Sequence, residues 1–273
     1  MIGGWRLDEE TRGFDPETPN VARLYDYYLG GKDHFPADRE AAERILAVAP
    51  ELRAAARANR AFLGRAVRHL AEAGIRQFLD IGTGLPTQEN VHQVAAKVAP
   101  GSQVVYVDLD PVVMVHARAL LADQGGTAVI QGDLRKPDEI LNNPEVTRAI
   151  DFTRPVGVLL VAVMHFIAES ERPQEIIATL RDAMAPGSYL VVSHGTSDSR
   201  AAAADKGTEV YRNASAALTL RSRKRIMELF DGFDLVDPGL VWLPEWHPES
   251  ADTIDFIDGP ESSLILCGVG RKA

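Results

Sequence analysis

The stretch from Arg76 to Asp110 limits what this chain can become more than any other. A short apolar run, Gln77 to Ile81, carries Asp80 and breaks at Gly82-Thr83-Gly84. A helical pattern is expected from near Thr87, with Val91, Val94, Ala95 and Val98 on one side and Gly101 as its stop. A second apolar run, Val104 to Val107, leads into Asp108. Strand, glycine turn, helix and strand form the opening unit of a parallel sheet, and such sheets bind ligands beyond the carboxyl ends of their strands. Gly82 and Gly84 lack a Cβ, so the turn can be tight and a ligand can come close to the backbone. The helix after them starts with free N–H groups. Asp108, one βαβ step beyond Asp80, can accept two hydrogen bonds from a vicinal diol such as a ribose. The unit reads as a nucleoside-binding site. The plainer reading is a parallel sheet whose first turn needs glycine.

The rest of the chain extends this α/β pattern. Residues 1–18 are polar, carry Gly3-Gly4 and are expected to form a flexible arm. Three helical patterns fill 19–74. The first starts at Pro19-Asn20 and ends at Gly30-Gly31, the second starts at Pro36, and the third spans Glu51 to Ala73. They form a helical cap ahead of a sheet core over 75–273, and together the two make one domain, 19–273. Beyond Asp108, a helix is expected over Pro111–Asp123 and a strand over Thr127–Gln131, ending in Gly132-Asp133-Leu134. Pro155 to Val163 is apolar almost throughout, a strand buried on both faces that runs into Met164-His165-Phe166. After a helix, Tyr189 to Ser193 is a strand leading into His194-Gly195-Thr196. Residues 197–218 are polar and alanine-rich and are expected to form a helical insertion over the site. A helix over Thr219–Phe230 follows, then two last strands, Phe233–Val236 and Ser263–Val269, joined by a loop with Trp242 and Trp246.

Composition narrows the function classes. A formal net charge of −10 over 273 residues argues against a nucleic-acid surface and against anionic membranes. The basic run Arg221 to Arg225 falls on an expected helix and reads as a solvated face. A lone Cys267 rules out an internal disulfide and suits a reducing cytoplasm. The opening MIGGWRLDEE has no apolar signal core, and the longest apolar run is too short to span a bilayer. No His/Asp/Glu spacing suggests a metal.

The glycine turn does not complete the dinucleotide fingerprint, because Thr87 stands where a third glycine would be. Asp80-Ile81-Gly82-Thr83-Gly84 instead resembles the first motif of the class I S-adenosylmethionine-dependent methyltransferases. Asp108 matches their ribose acid, Gly132-Asp133-Leu134 the segment that meets the adenine, and Pro186-Gly187-Ser188 the turn before strand five. NVARLYDYYLGGKDHF, LDIGTGLPT and SHGT together resemble a largely uncharacterised actinobacterial group of these enzymes, once filed as a domain of unknown function. The resemblance implies a Rossmann-like sheet of seven strands, the last antiparallel, flanked by helices, and S-adenosylmethionine as cofactor. It implies a cofactor site of Asp80, Gly82, Thr83, Gly84, Asp108, Leu109, Asp133, Leu134 and Ala162.

The first helix adds Tyr25 and Tyr28, whose rings would attract a sulfonium if they face it and are core packing otherwise. Tyr28 is the one placed in the cofactor site. Lys32 is expected either to meet the cofactor's carboxylate or to be solvated. His165, just past strand four, is the candidate catalytic base, as in small-molecule O-methyltransferases. Phe166, however, stands where they commonly carry aspartate, and the alternative is a packing histidine. His194 is expected to be structural. The resulting function is methyl transfer to a small-molecule acceptor at oxygen or nitrogen. The alternatives are a non-catalytic S-adenosylmethionine binder and, third, a nicotinamide oxidoreductase.

Overall fold

A computed structural model of the protein describes residues 15–86, 89–121, 125–199, 211, 214–248, 256 and 258–273. Most of the expected arm, the helix start at Thr87 and most of the alanine-rich insertion lie outside the described residues. Three helices open the chain: α1 (Val21–Leu29), α2 (Pro36–Leu46) and α3 (Leu52–Glu72). The sheet then alternates with helices through β1 (Gln77–Ile81), α4 (Val91–Val98), β2 (Gln103–Asp108), α5 (Pro111–Leu121) and β3 (Thr127–Gln131). Next come α6 (Pro137–Leu141), α7 (Pro144–Ala149), β4 (Gly157–Val161), α8 (Pro173–Ala183) and β5 (Tyr189–Gly195). The described chain closes with α9 (Arg223–Met227), β6 (Asp234–Leu235), β7 (Val241–Trp242) and β8 (Ile265–Arg271).

The strand order is β3-β2-β1-β4-β5-β8-β6, with β7 also paired to β8. The strand order reverses between β1 and β4, so their carboxyl ends open a crevice there. β1 to β5 are parallel, whereas β8 runs antiparallel to β5, β6 and β7. The sheet thus has eight strands rather than seven. The extra one is the two-residue β7, in the loop expected to join the last two strands, where Val241 pairs with Cys267. Alternation along the strands feeds two cores. Leu79, Val105 and Val107 face one with Ile140 and Ile176, and Phe78, Val104 and Tyr106 face the other with α3 and α4.

The cap has its own small core around Leu24, Tyr28, Ala42 and Ile45. Asn20 caps α1, its side chain accepting from the Ala22 and Arg23 N–H groups. Arg23 and Asp38, both buried, pair at 2.9 Å, and Asp38 also accepts the Asn20 and Phe35 N–H groups at 2.8 Å. The ion pair therefore ties α1 to α2 with its lone pairs satisfied, the condition under which a buried pair is tolerated.

The expected helix over Thr219–Phe230 is shorter, and the basic run is not a solvated face. Thr219 to Ser222 lie outside any helix, with Arg221 bridged to Thr196. Arg221 is buried and donates to the Met164 carbonyl at 3.0 Å, the Ile167 carbonyl at 2.7 Å, His194 Nε2 at 2.7 Å and Glu169 at 2.7 Å. It clamps the turn after β4 onto β5. Helix α9 starts only after Ser222, whose side chain caps it by accepting the Arg225 N–H.

Candidate cofactor and active site

The turn after β1 is built on two glycines for different reasons. Gly82 has φ 76°, and a Cβ there would lie 2.4 Å from Val163 Cγ2, so the turn packs directly on the segment after β4. Gly84 has φ 67°, and a Cβ there would meet nothing within 4 Å: the backbone faces open space in the cavity. The Gly82 N–H donates to the Val107 carbonyl at 2.8 Å, holding the turn against the end of β2. Asp108, at that end, accepts the Gly84 N–H at 2.8 Å and the Asp110 N–H at 2.9 Å.

These groups border a cavity of about 680 Å³, well within the size range of small-molecule sites. Asp80, Gly82, Thr83, Gly84, Asp108, Leu109, Asp133, Leu134, Ala162, Tyr28 and His165 all line it, so the structure brings every residue expected from the sequence to one place. Leu109 is a half-exposed large apolar side chain, available to a flat base. Ala162 has φ 56°, a conformation unfavourable for a residue with a Cβ. Strain of this kind persists where the surroundings enforce it. Here its N–H donates to Ser193 Oγ at 2.9 Å, Ser193 donates to Asn59 Oδ1 at 2.6 Å, and Asn59 donates to the Tyr25 hydroxyl at 2.9 Å. A buried chain of hydrogen bonds thus runs from the cap to the residue after β4.

Lys32 is exposed and does not line the cavity, the solvated alternative of the two expected for it, whereas Arg60 on α3 lines the cavity. The Asp133 carboxylate is already bound by Arg135, at 2.8–3.0 Å through Nε and Nη2. Burial pushes Asp133 up, but these bonds outweigh it and hold the carboxyl below its usual range.

Asp110 is a site group that the sequence reading left out. It lines the cavity, and its buried Oδ2 has no hydrogen-bond partner among the described residues. A buried carboxylate oxygen without a donor is costly. The hydroxyls of a ribose already held by Asp108 would supply one.

Burial raises both Asp80 and Asp108 to about 6. Against the ordinary aspartate value of 3.8, the folded chain therefore holds protons between about pH 4 and 6 that the unfolded chain has lost. These two groups favour folding most below pH 4, and that contribution declines as pH rises through 6. A cationic ligand favours their ionised forms, so its binding follows the opposite course. Affinity is expected to rise as pH climbs from 5 to 7 and then level off, with protons released on binding near pH 6. Calorimetry in two buffers of different ionisation enthalpy measures that release. No release at pH 6 would show that the carboxyls do not face the ligand's charge.

His165 is buried, and its Nδ1 accepts the Gly195 N–H at 3.2 Å. An N–H donor fixes the tautomer: the neutral ring carries its proton on Nε2. Burial, with the nearby Arg221 charge, lowers its pKa to about 3, so the ring is neutral at physiological pH. His194 is buried in the strand, bonded to the Gly195 carbonyl and Arg221, the structural part expected of it.

Comparisons with known proteins identify the family and agree with the fold. A family model described as S-adenosyl methyltransferase matches residues 8–273. The chain belongs to that family, and S-adenosylmethionine is its cofactor. Among solved structures, the chain is similar to a candidate methyltransferase from Thermobifida fusca. The two are 42% identical over 94% of this chain and 96% of that one, with a TM-score of 0.88. It is also similar to a DUF574 family protein from Streptomyces avermitilis, 40% identical over 95% of this chain and 99% of that one, with a TM-score of 0.91. No curated protein matches the chain. S-adenosylmethionine suits the residues present, with the open backbone at Gly84, the paired acids Asp108 and Asp110, and Asp80 available to an ammonium group. Among the described residues, no helix is long and apolar enough to cross a membrane.

Proposed function

We propose that this methyltransferase acts on a small-molecule acceptor, at oxygen or nitrogen. The observation that supports this reading best is the shape of the cavity. It continues from Asp108 and Gly84, past Ala162, to His165, Phe166 and the cap residues Tyr25 and Tyr28. Cofactor and acceptor would then share one chamber roofed by helices, which suits a compact acceptor better than a polymer. Asp108 and Asp110 would hold the ribose, Leu109 would lie against the adenine, Asp80 would meet the amino group and Arg60 the carboxylate. Once bound, the cofactor supplies an activated methyl group, so the protein's part is alignment and exclusion of water. Tyr28, 4% exposed and bonded to the Tyr211 hydroxyl, would keep the cap closed on the chamber. In catalysis we assign His165 the role of an N–H donor that orients the acceptor, because its Nδ1 lone pair is already used by Gly195.

Purified protein supplied with methyl-labelled S-adenosylmethionine and a panel of hydroxylated and amine-bearing small molecules is expected to form S-adenosylhomocysteine only when an acceptor is present. Label appearing on protein or nucleic acid, with none on small molecules, would overturn the acceptor class. Tight cofactor binding with no turnover on any acceptor would favour a non-catalytic binder instead.

A further inference from the structure

We propose that the acceptor half of the cavity takes an uncharged, ring-bearing molecule that presents an oxygen to the Nε2–H of His165. The proposal rests on the methyltransferase reading above and adds the acceptor's chemistry. The cavity has two unlike halves. The cofactor half carries Asp80, Asp108, Asp110 and Arg60. The other part is walled by Phe166, Tyr211, Leu218 and Leu220 under Tyr28 of the cap; the cavity's further charged side chains are Asp15, Arg23, which pairs with Asp38, and Arg135, which pairs with Asp133.

The rings there are set for another ring. His165 and Phe166 lie 4.5 Å apart between centroids at 71°, and Phe166 and Tyr211 lie 5.8 Å apart at 48°. An aromatic guest gains edge-to-face contacts in such a corner beyond the area it buries. The phenols of Tyr28 and Tyr211 bond each other at 3.2 Å. Burial pushes Tyr28 up and Tyr211 to about 12, so neither carries charge near neutral pH. A charged acceptor would give up its hydration here without gaining a counter-ion from the described wall, a loss that buried charges do not recover unless paired.

Among the described residues, two polar atoms of the cavity are open to the guest. The His165 Nε2–H makes no hydrogen bond among the described residues, whereas its Nδ1 is fixed by Gly195. Ser199, which is buried and lines the cavity, has an Oγ with no partner among the described residues. One donor on an aromatic wall and one hydroxyl lining the same cavity match a ring that carries a single oxygen substituent.

The test is calorimetric binding to the full chain, with S-adenosylhomocysteine titrated first and held at saturation. The probes are 2-naphthol, naphthalene, 2-naphthoic acid and (2-naphthyl)trimethylammonium. 2-Naphthol is expected to bind at least about tenfold more tightly than either charged analogue. In His165→Ala its affinity should fall about three- to tenfold, with naphthalene unchanged. Phe166→Leu, which keeps volume but loses the ring, should weaken both neutral probes; it is read only if S-adenosylhomocysteine still binds it as it binds the parent chain. Equal or tighter binding of a charged probe, no binding of any probe, or an unchanged 2-naphthol affinity in His165→Ala would each overturn the proposal. Failure of the methyltransferase reading appears separately, in the first titration.

Discussion

Gly82→Ala is expected to abolish cofactor binding and to lower the melting temperature by roughly 5–15 °C. Two penalties add at this position. The backbone sits at φ 76°, where a Cβ costs about 1–2 kcal/mol. The added methyl would also fall 2.4 Å from Val163 Cγ2 and 2.7 Å from Val163 Cβ, and overpacking of this kind costs about 1–3 kcal/mol. The chain can relieve the clash only by moving the turn or the segment after β4, and both border the cofactor. Val163→Ala placed in the same chain removes the nearer carbon but neither the strain nor the Cβ contact, so it should recover part of the stability and little of the binding. Scanning calorimetry with and without S-adenosylhomocysteine reads both quantities. An unchanged melting temperature would mean that the turn has another conformation.

Asp108→Ala should leave the fold intact and weaken S-adenosylhomocysteine roughly ten- to a hundredfold, since hydrogen bonds to a charged acceptor are worth about 1.5–3 kcal/mol. The carboxylate also accepts the Gly84 and Asp110 N–H groups, so its loss loosens the loop as well as the ribose contact. Stability at pH 7.5 should change little. Removing a carboxyl that burial holds at about 6 relieves a cost that offsets the two lost backbone bonds. Asp110→Ala is the companion variant. If the ribose is shared, both lose affinity; if Asp108→Ala binds normally and Asp110→Ala does not, the ribose belongs to Asp110.

Much of this site was legible in the sequence because its chemistry is local. Asp80, the two glycines and Asp108 sit on consecutive elements, and the apolar runs that flank them state where the strands end. The same holds for His165, which follows a strand that could only be buried. What escaped the reading depends on residues far apart in the chain. Arg221 looked like one of four cations on a solvated helix, but its partners, Met164, Ile167 and His194, lie on β5 and the turn after β4. Asn59, one polar residue among many on α3, is the middle of the hydrogen-bond chain from Tyr25 to Ala162. Lys32 was open to two readings, carboxylate partner or solvated side chain, and packing leaves it exposed while bringing Arg60 to the cavity. Strand β7 is two residues long and has no periodicity to read; it forms because β8 offers it an edge.

Hydrogen exchange, followed with S-adenosylhomocysteine and in parallel with NAD, tests the central claim most directly. A ligand that binds only the folded state slows the openings that expose the amides it covers. S-adenosylhomocysteine is expected to protect the turn at 82–86 and the start of α5 at 110–112, and, with the cap closed over the chamber, the helix at 21–29 as well. NAD should protect none of them. Protection by NAD in place of S-adenosylhomocysteine, or an unchanged turn at saturating S-adenosylhomocysteine, would contradict the cofactor site described for this fold.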